Sequence, residues 1–259
     1  MQVTDLELLI DAALEAGRIA SPLAGGRAKR WEKSGNAGPV TEADIAVNEM
    51  LEDRLRRARP DYGWLSEETE DDDARLSCDA AFVIDPIDGT RSFAEGSRTW
   101  AHALAVVRGG VAVAGVIYLP QRDLLYAAAR GAGAALNGQA IAPGERAEVD
   151  GARMLTNRGS LDPQQWRGAV PAVERAYRPS LAYRMALVAE GRFDAMLTVF
   201  PAWEWDVAAG AVILDEAGAA VTDRAGVALR FNNAHPRLPG IVAGGRALHA
   251  GLMRALTPA

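Results

Sequence analysis

The string Phe82-Val83-Ile84-Asp85-Pro86-Ile87-Asp88-Gly89-Thr90 joins an apolar run to two carboxylates three residues apart and then to Gly-Thr. Its first part, 81–84, reads as a short buried strand that stops at Asp85-Pro86. Open sheets place their chemistry at the C-terminal ends of strands. Two carboxylates this close repel each other unless a cation lies between them. Hard oxygen donors of this kind suit Mg²⁺ or Mn²⁺. Pro86 bars a helix at that point, and Ile87 can turn its backbone carbonyl toward the same ion. Gly89 and Thr90 can open a helix whose free N–H groups face an anion. A metal beside a helix N-terminus makes a phosphate site. Asp-Pro and Asp-Gly are also common in plain turns, but the whole string favours the site.

Three further acidic segments accompany it: Val40-Thr41-Glu42-Ala43-Asp44, Leu65-Ser66-Glu67-Glu68-Thr69 and Trp203-Glu204-Trp205-Asp206. Singly, each has an ordinary explanation. An acid in a helix's first turn is favoured by the dipole, and Glu70-Asp71-Asp72-Asp73 reads as a solvated charge run. Two lookalikes fail. The aspartates are one residue too far apart for a haloacid-dehalogenase nucleophile motif. An EF-hand counted from Asp85 would need Glu where Gly96 stands. The histidines, His102, His235 and His249, form no spaced ligand set, so zinc is not expected.

Taken together and in this order, the four segments resemble the inositol monophosphatase superfamily of Mg²⁺-dependent, lithium-sensitive phosphatases. The resemblance runs from about residue 30 to 220. It departs from the family pattern at Ser66, where the family has Gly, and at Ala219 in the Ala217-Gly218-Ala219 that follows the late helix. The resemblance implies a layered αβαβα sandwich and two or three Mg²⁺ ions, with Mn²⁺ as a substitute. It assigns Glu67, Asp85 and the Ile87 carbonyl to one metal and Asp85, Asp88 and Asp206 to a second. Glu67 would also position a third ion through water. Asp44 and Thr90 would orient and deprotonate the attacking water. Asp88, Gly89 and Thr90 would meet the substrate, with the Gly89 and Thr90 backbone on its phosphate. Lys33 matches a family lysine on a loop near the metals, or is an ordinary exposed lysine.

The substrate follows from finer marks. Family members that hydrolyse inositol phosphates carry a Glu seven residues before the late Asp; here that place is Val199. Arg184, Leu187-Val188-Ala189-Glu190-Gly191 and Glu204-Trp205-Asp206 look more like the 3′(2′),5′-bisphosphate nucleotidases, which implies 3′-phosphoadenosine 5′-phosphate. Arg184 would fork onto the second phosphate, or is a helix-surface arginine. Trp203 and Trp205 are read as core residues sooner than as a stacking platform. Inositol 1-phosphate, histidinol phosphate and a catalytically weak regulatory role remain the alternatives. The complete ligand set favours catalysis.

The elements that must position these residues are those of a globular chain. The sequence has 259 residues, 49% hydrophobic and 24% charged, enough for a substantial core. Net charge is −6 without a basic tract, which argues against nucleic-acid polymers. No apolar run approaches the roughly 18 residues of a membrane span. A single cysteine, Cys78, excludes an intrachain disulfide. With an acidic, amphipathic N-terminus, the expectation is a cytoplasmic enzyme acting on a small phosphorylated metabolite, with a homodimer left open. Periodicity predicts helices over 4–20 (ending at Gly17 or soon after), from Thr41 to Pro60, and over 181–190, 205–217 and 247–256. Residues 22–39 read as an irregular loop. Strands are expected at 101–107 and 111–118 as a hairpin, then at 124–129, 153–156, 193–199 and 240–243. The class is α/β or α+β, divided softly into residues 1–145, which carry most metal motifs, and 146–259, which supply the late Asp.

Overall fold

The computed structural model describes residues 3–32 and 38–258. Thr4 opens helix α1 (Asp5–Ala20) with a capping box: its hydroxyl accepts from the Glu7 N–H, and the Glu7 carboxylate accepts from the Thr4 N–H at 2.8 Å. The helix ends at Ala20, within the expected bounds, and Gly17 inside it is a small buried residue against Tyr118. The described residues of the expected loop 22–39 include regular structure. Its β1 (Arg30–Glu32) pairs antiparallel with β2 (Pro39–Thr41). Charged residues hid this hairpin, since every residue of β1 is surface-exposed and the strand shows no apolar alternation. A second capping box, Thr41 with Asp44, starts α2 (Glu42–Ala58).

A seven-stranded sheet follows in the order β3-β4-β5-β6-β7-β8-β9. Its members are β3 (Gly63–Ser66), β4 (Ala80–Asp88), β5 (Ala101–Arg108), β6 (Val111–Leu119), β7 (Leu124–Ala129), β8 (Gly133–Leu136) and β9 (Gln139–Ala140). Only β3 and β4 are parallel. Strand β4 does not stop at Asp85 as expected. It runs through Pro86 to Asp88, with a register shift against β5 between Asp85 and Asp88. Short α3 (Thr90–Ala94) comes next.

The five-stranded sheet has the order β11-β10-β12-β16-β14. In chain order its elements and their companions are β10 (Arg153–Thr156), β11 (Glu174–Ala176), α4 (Leu181–Ala189), β12 (Ala195–Thr198), β13 (Ala202–Trp203), α5 (Glu204–Ala217), β14 (Ala220–Thr222), β15 (Arg237–Leu238), β16 (Ile241–Gly244) and α6 (Arg246–Ala255). Strands β11, β10 and β12 run parallel, while β16 is antiparallel to both of its neighbours.

The layers are read from which face each side chain serves. On β5, Ala101, Ala103, Ala105 and Val107 join the core beneath α4 and α5, while Leu104 and Val106 join the core beneath α1 and α2. On β12, Met196 faces α4 and Leu197 faces the Leu248–Leu252 side of α6. Both sheets are therefore covered on both faces. The stack is α1/α2, large sheet, α4/α5, small sheet, α6: the αβαβα sandwich. Such strands read as continuous apolar runs. Among the described residues no helix is long and apolar enough to cross a membrane.

Candidate metal and phosphate site

Parallel pairing of β3 with β4 brings Glu67 beside the end of β4, and the Glu67 N–H donates to the Ile84 carbonyl at 3.2 Å. Helix α5, from the far end of the chain, is aimed at the same place. Carboxylate oxygens of Asp85, Asp88 and Asp206 lie within 4.8 Å of one another. The sequence placed these residues together, and the fold does bring them together.

The electrostatics are those of an unneutralised cluster. Both Asp85 oxygens are buried and receive no hydrogen bond among the described residues. Burial pushes the Asp85 carboxyl well above the usual range, and the charges of Glu67, Asp88 and Asp206 push it further. Asp206 is raised likewise, by burial and then by Asp88 and Glu67. Burial raises Asp88 to about 6, against donors that hold it down. Those donors are the Ser180 hydroxyl at 2.6 Å and the Ala182 N–H at 2.7 Å, both on Asp88 Oδ2. Asp88 thus also satisfies the first turn of α4, a contact no motif announced. A lone buried carboxylate without donors is costly. Oxygen-rich, donor-poor and over-charged, the cluster fits a hard divalent cation.

Beside it, the Asp44 carboxylate accepts from the Thr41 N–H at 2.8 Å and the Thr41 hydroxyl at 2.6 Å through Oδ2. Its Oδ1 lies 3.1 Å from the Thr90 hydroxyl, which also lies 3.2 Å from the Ile87 carbonyl. Burial raises Asp44 to about 6. Gly89 holds φ +95° at the start of α3, a left-handed turn that favours glycine. This turn brings the Thr90 hydroxyl back to Asp44.

The chain matches the inositol monophosphatase family model over residues 2–258. It belongs to that family. Among its relatives, the inositol-1-monophosphatase of Rhizobium meliloti is 32% identical over 231 residues, 82% of this chain and 83% of that protein. The Nus factor SuhB of Pseudomonas aeruginosa is 32% identical over 234 residues, 85% of this chain and 83% of that one. In solved structures, the Thermotoga maritima IMPase superposes with a TM-score of 0.82 at 27% identity, covering 96% of this chain and 95% of its own. The protein is accordingly a phosphatase of a metal-dependent family that acts on small phosphorylated substrates.

Other expected residues fall around the cluster. Lys33 lies outside the described residues. Arg184 is buried, not a helix-surface residue. Its guanidinium stacks over Tyr177 at 4.4 Å, donates to the carbonyls of Arg178 and Pro179, and lies within electrostatic reach of Asp88 and Asp206. Val199 is buried on the segment leading to α5. Trp203 is not core: it is 38% exposed and stacked on Trp205 at 4.7 Å. The acidic run is not simply solvated either, because Asp71 forks onto buried Arg75. His102, one of the histidines that form no ligand set, is a buried core residue with Nδ1 at 2.5 Å from the Pro86 carbonyl. A carbonyl only accepts, so Nδ1 carries the proton. His102 had one visible signal, a polar residue within the apolar run 101–107, and Ser180 had only its place as a cap residue before the helix at 181.

Proposed function

We propose that the protein is a Mg²⁺-dependent phosphomonoesterase whose leading substrate is 3′-phosphoadenosine 5′-phosphate. The observation that carries the chemistry is the donor-free Asp85 carboxylate, crowded by Asp88 and Asp206 beside the Asp44–Thr90 pair. Asp85, Asp88, Asp206, Glu67 and the Ile87 carbonyl would hold divalent ions. Bound there, they supply Lewis acidity and neutralise charge building on the phosphoryl group.

The rest is the work of the chain. The Thr90 hydroxyl, held by Asp44, orients the attacking water. Asp44, with a pKa near 6, takes up its proton. The Gly89–Thr90 turn presents its N–H groups to the phosphate oxygens. No side chain needs to form a covalent intermediate.

Substrate preference rests on Arg184 and Val199. Arg184 supplies a buried cation beside Asp88, suited to a second phosphate. Val199 offers no hydrogen bond to a polyol. Losing a buried partner for a hydroxyl costs roughly 1–3 kcal/mol. Similarity to proteins named inositol-1-monophosphatase favours inositol 1-phosphate as the alternative. Steady-state kinetics on 3′-phosphoadenosine 5′-phosphate, inositol 1-phosphate, histidinol phosphate and fructose 1,6-bisphosphate decide between them. The nucleotide is expected to show the highest kcat/KM. Arg184→Ala is expected to harm it more than a simple monoester, and Val199→Glu to move preference toward inositol phosphate. A clear preference of the unmodified protein for inositol 1-phosphate overturns the nucleotide reading and leaves the metal chemistry standing.

A further inference from the structure

Away from the acidic cluster, the described residues contain a second buried network of charged groups in which Arg75 and Glu204 have almost no exposed surface, built from segments far apart in sequence. Glu204 is fully buried at the first position of α5. Its carboxylate accepts from the Asn232 N–H at 2.6 Å, the Asn233 N–H at 3.1 Å and the Asn233 side-chain amide at 2.6 Å. The same two asparagines face Arg75, whose side chain has no exposed surface. Arg75 Nη1 donates to Asn232 Oδ1 at 2.8 Å and Nη2 to the Asn233 carbonyl at 2.9 Å, while Asn232 returns a bond to the Arg75 carbonyl at 3.2 Å. Asp71 completes the chain with a two-pronged ion pair to Arg75 at 2.6 and 2.7 Å.

This network joins two segments that carry cluster residues. Asp71 and Arg75 follow Glu67 along the chain from β3. Glu204 precedes Asp206 in the first turn of α5. The strap between them, around Asn232 and Asn233, touches both. Its members point away from the cluster in role, because each has its partners within the strap. A carboxylate facing like charges is pushed outward by Coulomb repulsion until a cation arrives. Something must therefore hold the start of α5 in place, and backbone hydrogen bonds alone anchor a helix N-terminus poorly.

We propose that Arg75, Asn232, Asn233 and Glu204 are positioning residues that hold Asp206 against Asp85 and Glu67, so that the ion site is formed before the ion binds. This rests on the reading of Asp206 as a metal ligand. Pre-organisation of this kind raises affinity by removing the cost of assembly at the moment of binding. The strap should therefore be felt in metal affinity more than in turnover once the metal is saturating.

The test uses Mn²⁺ alone as probe, its free concentration read by electron paramagnetic resonance on the full chain without substrate. Three variants sample the strap. Asn233→Ala removes the side-chain amide on Glu204. Asn232→Gly keeps the backbone N–H and suits the φ of +60° there, removing only the Arg75 contacts. Arg75→Lys keeps the charge but loses the fork. Each is compared at a temperature where circular dichroism shows it folded. The expected result is a Mn²⁺ dissociation constant weakened about tenfold or more in Asn233→Ala and Arg75→Lys, and less in Asn232→Gly. The Mg²⁺ concentration for half-maximal phosphate release should rise in parallel, with kcat at saturating Mg²⁺ within about threefold of the parent. Asp206→Asn is the reference. If it leaves Mn²⁺ affinity unchanged, the metal reading itself fails. If it weakens Mn²⁺ while folded strap variants bind as the parent does and merely melt lower, the strap serves stability only and the inference is overturned.

Discussion

Replacing Asp44 by Asn separates the group's chemistry from its place in the fold. An Asn can keep the local contacts. Its carbonyl oxygen can accept from both Thr41 donors, and its amide can donate to the Thr90 hydroxyl, whose own proton turns to the Ile87 carbonyl 3.2 Å away. What is lost is the charge. In an unfolded chain Asp titrates near 4, whereas burial holds Asp44 at about 6. The folded state therefore binds the proton more tightly. The resulting penalty on folding is absent below about pH 4, grows between 4 and 6, and is complete above 6. Its full size is about 3 kcal/mol. For a chain of this length that corresponds to roughly 6–12 °C in Tm. Melted in EDTA, Asp44→Asn is expected to gain up to about 10 °C over the parent at pH 8 and almost nothing at pH 4. Phosphate release at saturating Mg²⁺ should meanwhile fall by about 10²- to 10⁴-fold, the range of a lost general base. A stability gain equal at both pH values would refute the burial argument. Retained turnover would refute the proton-transfer role.

Asp85→Ala and Asp88→Ala should part company in EDTA melts although both abolish hydrolysis. Asp85 has no donors to abandon, so its loss relieves repulsion and raises Tm, whereas Asp88→Ala orphans the Ser180 hydroxyl and the Ala182 N–H at about 1–3 kcal/mol and lowers it. Adding Mg²⁺ should raise the parent's Tm in proportion to the logarithm of its concentration, and this rise should be absent in Asp85→Ala. Gly115→Ala should lower Tm without altering the Mg²⁺ dependence, because a methyl there would stand 2.7 Å from the Val212 side chain and 2.9 Å from the Ala209 backbone, where α5 lies on β6; the overpacking costs roughly 1–3 kcal/mol.

Fold and site were legible in unequal measure, for physical reasons. Apolar runs long enough to be buried on both faces, such as 101–107 and 111–118, announced β5 and β6, and helices with a cap and a stripe, such as α2, announced themselves twice. Strands of two to four residues with mixed polarity, among them β1, β11 and β15, carry too little periodicity to be seen. In the candidate site, the residues that motif and family resemblance singled out are the ones the fold gathers: Asp85, Asp88 and Asp206 in one cluster, and Thr90 on Asp44. Those acting through a three-dimensional partner were not visible in this way. Arg75 and Glu204 meet only across a loop more than a hundred residues from one of them. Ser180 matters because Asp88 reaches it, and the exposed Trp203 is explained by its stack on Trp205.

The irregularity in β4 has a consequence for how Asp-Pro-Ile-Asp can work at all. Residues an odd number of steps apart on a strand point to opposite faces. Asp85 and Asp88 are three steps apart, so an unbroken strand would send one carboxylate toward α1 and α2 and the other toward α4 and α5. Across the same stretch β5 advances only from Ala103 to Ala101. The surplus residue shifts the alternation by one, and both carboxylates arrive on the same side. The carbonyl left over at Pro86 is taken up by His102, the β5 residue between those two alanines. The spacing is thus only half of the motif. The other half is a miscount between neighbouring strands. A one-residue insertion or deletion on β5 opposite it would set the two carboxylates back to back without altering a single acidic residue.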